Sequence, residues 1–145
     1  MTFRFNNVAL LLGLSLFGAI LAGCSSNQTN ITSNIYHNTT AHFNGYYYAK
    51  EKTLEVEKLI LKSLDDDPNQ ILSLYPKLDT NLAKSYSKDT EEIIKMASLS
   101  IQRHPNSKWV HHNYVLVGKA RLFDCDFQNA IQTFKYVNTK SDDAD

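Results

Sequence analysis

Histidine is the most versatile chemical group in this sequence, because it binds metals and exchanges protons near neutral pH. The chain holds five histidines, and the closest pairs along it are His37 with His42 and His111 with His112. Adjacent helical residues project about 100° apart, so His111 and His112 cannot share one metal ion without a break in the helix. The spacing of His37 and His42 is also poorer for chelation than a separation of one helical turn. No metal site is predicted.

A second pattern, Asp65-x-Asp67-x-Asn69, imitates the start of a calcium-binding loop, in which alternate oxygen-bearing side chains hold the ion. Gln70 replaces the glycine that such a loop needs, and Pro76 stands where a bidentate glutamate belongs. A helix stop with solvated carboxylates is the better interpretation. The sequence also lacks a glycine-rich phosphate loop, a nucleophile elbow and a Ser/His/Asp arrangement, so we expect no enzyme activity, no cofactor and no small-molecule substrate.

The first of the two cysteines, Cys24, ends an apolar amino-terminal segment. Arg4 makes this segment weakly positive at its start, residues 8–20 are almost wholly apolar, and Leu-Ala-Gly precedes Cys24. This order is typical of a secretion signal, and the last four residues resemble the lipobox of bacterial lipoproteins. The resemblance implies that residues 1–23 are removed and that Cys24 carries the acyl chains that anchor the protein to a membrane. The alternative is an ordinary signal peptide with a coincidental cysteine.

The net charge and the cysteine content exclude some classes of partner and of covalent link. The chain has equal numbers of basic and acidic residues, 15 of each, so it offers no basic field for nucleic acid. Once Cys24 is lipidated only Cys125 remains, which excludes an internal disulfide and predicts a buried, inert thiol.

The mature chain is predicted to begin with a tether and to continue as helices. Residues 24–35 are polar and uncharged after the cysteine, as flexible linkers are. Residues 36–88 are predicted to form a helical region, with a helix interrupted near Asn44 and Gly45 and an irregular stretch over 71–87. Asp89 is predicted to cap the next helix and to begin a second region, residues 89–145.

Three helices are predicted in that second region. The first ends near His104 and Pro105, Ser107 caps the next, and residues 124–126 form a turn before a last helix that begins at Phe127. Because no segment has the pattern of a strand, the predicted fold class is all-α.

The last two helices resemble a tetratricopeptide repeat, a hairpin of antiparallel helices. Gly118 and Ala130 are small where the helices must approach closely, and larger side chains surround that contact at the offsets of the repeat: Tyr114, Val117, Phe127, Phe134 and Val137. Arg121 stands where an aromatic is usual, Cys125 replaces the turn glycine, and no proline closes the repeat. The alternative is an ordinary amphipathic hairpin, which does not need small residues at these two positions.

The resemblance implies the start of an α-solenoid of such hairpins. One repeat cannot bury its own faces, and arrays generally need three or more. Either helices before Asp89 act as divergent repeats, or this chain is the beginning of a longer protein.

Several sequence segments, taken together, indicate one group of repeat proteins. The lipobox, the polar tether, the run YHNTTAHFNGYY from Tyr36 and the run IQRHPNSKWV from Ile101 resemble the amino-terminal region of the tetratricopeptide lipoproteins of the type IX secretion and gliding-motility apparatus of Bacteroidetes (the SprE or PorW family). The resemblance implies a scaffold at the outer membrane that faces the periplasm and binds subunits of the secretion or motility machine. Alternatives are a tetratricopeptide subunit of a β-barrel assembly complex, or a fragment of a larger substrate-binding lipoprotein.

In tetratricopeptide arrays the inner face of each first helix holds the partner protein. By position, that face corresponds here to five residues: His112, Val115, Lys119, Leu122 and Phe123. Val115, Leu122 and Phe123 could equally serve only to pack against neighbouring helices. The tyrosines at positions 46–48 are open to the same two interpretations, since tyrosine is common both at interfaces and on half-buried helix faces.

Overall fold

The computed structural model describes residues 30–64, 69, 71 and 75–140, and within these residues the regular secondary structure is all helical. The all-α class predicted from the sequence is confirmed for this part of the chain. By its contacts the chain divides into two compact units, Met1–Ser33 and Asn34–Asp145. The predicted signal segment, Cys24 and the calcium-like run over 65–68 lie outside the described residues.

The first helical rod has three parts: α1 (Ile31–Thr40), a π segment (Ala41–Tyr46) and α2 (Tyr47–Lys62). Thr40, Tyr46 and Tyr47 all have right-handed helical dihedrals, so the rod is continuous. The interruption predicted near Asn44 and Gly45 is a change from α-helix to π-helix there, and the chain does not leave the helical conformation. Gly45 is buried against Ser100, and a β-carbon at this position would overlap the Ser100 side chain. The glycine therefore serves close packing here, and it does not break the helix.

The start of α1 also differs from the predicted boundary. Helix begins at Ile31, inside the tether predicted over residues 24–35. The Asn30 side chain accepts a hydrogen bond from the Ser33 amide at 2.7 Å, the geometry of a helix N-cap. The polar composition of this stretch suggested a linker, but one of its polar residues, Asn30, caps the start of the helix.

The second rod, α3 (Thr80–Arg103), begins ten residues or so before its predicted start. Its N-cap is Asp79, whose carboxylate accepts a hydrogen bond from the Asn81 amide at 2.9 Å. The prediction that Asp89 caps this helix is wrong, and so is the irregular structure predicted over its first turns. The buried residues recur three and four apart from the first turn onward: Ala83, Tyr86, Thr90, Ile93, Ala97 and Ser100. The boundary predicted between residues 88 and 89 falls inside α3.

The hairpin after α3 follows the sequence closely. The helix ends at Arg103 with His104 as its C-cap, and α4 (Val110–Phe123) and α5 (Phe127–Lys140) follow. The prediction that Ser107 caps α4 is wrong, because the N-cap is Trp109 and no side chain caps the helix. Ser107 Oγ instead accepts a hydrogen bond from the Trp109 amide at 3.2 Å, just before α4 begins. Cys125 lies in the turn between α4 and α5 with φ 61°, a left-handed conformation that glycine adopts without strain.

Each described rod packs mainly on the next one along the chain. α2 contacts α3, α3 contacts α4, α4 contacts α5, and α2 also touches α4. The core between α2, α3 and α4 is apolar and contains Val56, Ile60, Tyr86, Ile93 and Leu116. α4 is therefore the central helix, with neighbours on three sides.

Candidate functional site

An open groove runs between α2 and α4 on the surface of the helical unit. Its volume is about 200 Å³, and its walls carry one row of side chains from the α2 side, including Tyr46, Lys50 and Leu54, and a second row from α4, including His112, Val115 and Lys119. Small-molecule sites usually measure about 300–1,000 Å³. The groove suits one or two side chains of a partner better than a whole ligand.

The structure brings together three of the five residues that the sequence predicted for partner binding. His112, Val115 and Lys119 line the groove at successive turns of α4. Leu122 is half-buried outside it, and Phe123 is buried in the core, where its carbonyl accepts a hydrogen bond from the Tyr86 hydroxyl at 3.1 Å. Phe123 therefore has a packing role, which was the alternative weighed for it.

On the opposite wall, on the α2 side, Tyr46 was considered from the sequence as either an interface or a packing residue, while Lys50 and Leu54 were not predicted as binding residues. Tyr46, Lys50 and Leu54 recur four residues apart, the spacing of one helix face, so a signal for this wall was present in the sequence. The sequence alone does not say that this face lies beside α4, because that depends on how the rods are arranged in space.

One end of the groove is formed by an aromatic cluster of His42, Tyr46, Trp109 and His112. The Trp109 ring lies 4.2 Å from the His42 ring, 4.8 Å from that of Tyr46 and 5.0 Å from that of His112, measured between centroids. These spacings are typical of packed aromatic pairs. The cluster joins the π segment to the start of α4 at this end of the groove.

Two lysines, Lys50 and Lys119, line the groove, and Lys108 lies beside the aromatic cluster. Lys50 Nζ lies 5.9 Å from the centroid of the Tyr46 ring, and Lys108 Nζ lies 5.5 Å from that of Trp109, within reach of a cation–π contact. Lys119 Nζ binds Glu57 Oε1 at 2.7 Å across the far end of the groove. A partner segment with an apolar side chain and a nearby carboxylate would match these walls.

Another lysine of α2, Lys52, forms ion pairs between α2 and α3. Lys52 Nζ binds Asp89 at 3.1 Å and Glu92 at 2.8 Å, both on α3. Hydrogen bonds to Glu92 and then to Asp89 raise the pKa of Lys52 above its usual range. Asp89, which was predicted to cap a helix, instead links α3 to α2.

Two histidines that are far apart in sequence meet away from the groove. His37 of α1 and His104 at the end of α3 are both buried, with their Nδ1 atoms 2.8 Å apart. Burial lowers the pKa of His104 below its usual value, and the neighbouring His37 and Arg103 lower it further. Neither pairing considered from the sequence contained His104.

A small polar group lies at the turn after α4. The Thr90 hydroxyl donates a hydrogen bond to Asp124 at 2.6 Å. Burial raises the pKa of Asp124 and also raises the pKa of the half-buried Cys125 thiol, with nearby aspartates adding to the second effect. A raised pKa disfavours the reactive thiolate at neutral pH.

Metal ligands do not gather anywhere in the described part of the chain: no group of three or more histidine, cysteine, aspartate or glutamate side chains could hold an ion there. Among the same residues, no helix has both the length and the apolar content to cross a membrane. Comparison with family models, curated proteins and solved structures finds no match to this chain.

Proposed function

We propose that this protein is a membrane-anchored scaffold that binds other proteins through the groove between α2 and α4. The observation that supports this proposal is that His112, Val115 and Lys119 line one open groove together with apolar and cationic residues of the α2 side. Apolar anchors beside charged groups are the usual composition of a protein-binding surface.

We further propose that α2 to α5 are the start of a tetratricopeptide-like array. In such an array each helix packs on the next, and first helices also touch one another, which is the contact pattern of α2, α3, α4 and α5. The close approach of Gly118 to the Phe134 ring supports the same assignment. The long α3 and the segment of residues 63–79 before it depart from a regular repeat. α2 and α3 would therefore be a divergent first pair.

The place of action in this proposal is the periplasmic side of the outer membrane. The lipobox ending in Cys24 supports the anchor, and the resemblance of the sequence around Tyr36 and Trp109 supports a subunit of the type IX secretion or gliding-motility machine. The groove then faces other periplasmic parts of that machine.

Crosslinking in cells tests the groove directly. A photo-crosslinking amino acid in place of Val115 should capture secretion or motility subunits from membranes, while the same group in place of Lys135, which is exposed on α5, should not. Reversal of charge by Lys50→Glu, at an exposed lysine that also lines the groove, should lower the yield about tenfold, because it repels an acidic partner. Equal capture at the two positions would contradict the groove. Capture of barrel-assembly subunits alone would refute the proposed machine.

The anchor has its own test. Cys24→Ser should move the protein from the membrane fraction to the soluble periplasm, since the acyl chains supply most of the membrane affinity. Unchanged pelleting of the variant would refute lipidation at Cys24.

A further inference from the structure

An uncharged, aromatic surface covers the outward side of the first rod, opposite the core. We call it the outer face and define it by Ile35, Tyr36, Phe43, Tyr47 and Tyr48, which are between 47% and 62% exposed. Tyr36 lies at its edge, since its ring also contacts His37 and His104. The residues that lie between them on the inward side, such as Ala41, Gly45 and Ala49, are buried. The outer face belongs to α1, the π segment and the first turn of α2, and it is separate from the groove.

The charge pattern distinguishes this face from an ordinary exposed helix. No lysine, arginine, aspartate or glutamate occurs between Cys24 and Ala49, and the first charged residue after the cysteine is Lys50. The exposed apolar residues of α5, Phe127 and Ile131, share a helix face with Lys135. In the first rod, charged residues begin only at Lys50 and Glu51, beyond the tyrosines of the outer face. Placing a surface without ionised side chains against lipid avoids the large cost of dehydrating a charge. Exposed apolar patches are common at membrane and protein interaction sites.

The residue types fit the boundary between lipid headgroups and acyl chains. Tyrosine has an apolar ring and a polar hydroxyl, and it is enriched at that depth of a membrane. An amphipathic helix at this boundary lies parallel to the surface, with its apolar side in the lipid. The outer face presents three tyrosines beside Ile35 and Phe43, with asparagine and threonine neighbours.

The covalent chain keeps this face close to the anchor. Residues 24–31 can span at most about 25 Å when fully extended, at about 3.3–3.6 Å per residue. α1 begins at Ile31. If Cys24 carries lipid, the first rod cannot leave the neighbourhood of the membrane, and its local concentration at the surface is high.

We infer that the outer face lies against the lipid surface, so that the first rod rests along the membrane. This inference rests on the proposed lipidation of Cys24. The anchor supplies the affinity, and the outer face sets the orientation of the domain.

Oxidative footprinting in vesicles tests the contact. The mature protein, acylated at Cys24, is placed in vesicles of phosphatidylethanolamine and phosphatidylglycerol, and the Cys24→Ser chain in buffer is the reference. Oxidation of Tyr36, Phe43, Tyr47 and Tyr48 should be slower in vesicles by roughly fivefold or more, because lipid excludes water from buried side chains. Phe127 and Tyr136, which are exposed on α5, provide the internal control and should oxidise at an unchanged rate.

A pair of variants separates orientation from folding. Ile35→Asn with Phe43→Asn changes only exposed side chains, so the fold should persist while the protection of Tyr36 and Tyr48 is lost. The matched control, Phe127→Asn with Ile131→Asn on α5, should keep that protection. Both proteins should still float with the vesicles, because the anchor is intact.

The outcomes distinguish this inference from the function it rests on. An acylated protein that floats while its outer face oxidises as fast as in buffer would overturn the lipid contact and leave the anchored scaffold standing. Protection that rises with protein concentration in the absence of vesicles would also overturn it, and would assign the face to a second copy of the chain. A mature protein without acyl chains on Cys24, shown by its mass, would refute the anchor and the inference together.

Discussion

His37 and His104 are 67 residues apart in sequence, yet their Nδ1 atoms share a buried hydrogen bond of 2.8 Å. One nitrogen must donate and the other must accept, so the bond is lost if both rings are protonated. Tyr36 packs edge-on against both rings, and Arg103 is the charged neighbour on the α3 side. The hydrogen bond between α1 and the end of α3 therefore requires at least one of the two imidazole rings to be neutral.

Stability should therefore fall on mild acidification. The pKa of His104 is lowered in the folded state, so the unfolded chain takes up the proton more readily, and the folded protein loses free energy of unfolding as the pH drops below about 6.5. Above that pH the contribution is fully present. Urea unfolding at several pH values between about 7.5 and 5.5 measures the slope.

Two variants assign this pH dependence to the pair. His104→Gln should flatten the slope, because glutamine cannot take up the proton. His112→Gln removes an exposed histidine and should leave the slope unchanged. Equal slopes in wild type and His104→Gln would show that other groups carry the effect.

The contact between Gly118 and Phe134 should tolerate no added atom. A β-carbon at Gly118 would lie 2.6 Å from Cε1 of the Phe134 ring. We expect Gly118→Ala to lower the free energy of unfolding by about 1–3 kcal/mol, the usual cost of overpacking. Phe134→Leu should recover part of this loss in the double variant, measured by a double-mutant cycle. Strictly additive effects would contradict direct contact.

The turn between α4 and α5 should favour glycine over alanine. Cys125 has φ 61°, where a β-carbon is strained. Cys125→Gly and Cys125→Ala both remove the thiol, so their difference isolates the backbone effect. We expect the glycine variant to be more stable by about 1 kcal/mol in urea unfolding. An alanine variant of equal or greater stability would show that the turn relaxes.

The hydroxyl of Tyr86 should stabilise the joint between α3 and α4. Tyr86 is fully buried, and its hydroxyl donates to the Phe123 carbonyl at 3.1 Å. Tyr86→Phe leaves that carbonyl without this donor and should lower the free energy of unfolding by about 1–2 kcal/mol. Tyr47→Phe, at an exposed position, is the matched control and should change stability by less than about 0.5 kcal/mol. Equal losses would contradict the role of the buried bond.

Local signals in the sequence were enough to predict the hairpin of α4 and α5. His104 and Pro105 end α3, and Phe127 begins α5, as predicted. In this region the proline and the apolar spacing indicate the same boundaries, even though Ser107 does not cap α4. The start of α3 was missed because the local signals disagreed there. Serines and lysines near Tyr86 interrupt the apolar pattern, and the helical spacing becomes clear only from which residues are buried in the structure.

The site was only partly predictable. The α4 wall of the groove was predicted from the resemblance to a repeat, and His112, Val115 and Lys119 do share one helix face. The α2 wall and the pairing of His37 with His104 depend on contacts between residues far apart in sequence. Periodicity describes which face of a helix is buried, but it does not state which other helix covers that face.

The π segment affects which side of the first rod each residue faces. Buried positions there recur every four residues, at His37, Ala41, Gly45, Ala49 and Thr53. In a plain α-helix each four-residue step overshoots a full turn by about 40°, so such a series would spiral away from its neighbour. The π segment has more residues per turn, so it offsets part of this overshoot. Deletion of one residue from the π segment would therefore rotate α1 relative to α2, and would misalign the histidine pair and the tyrosines of the outer face in a single step.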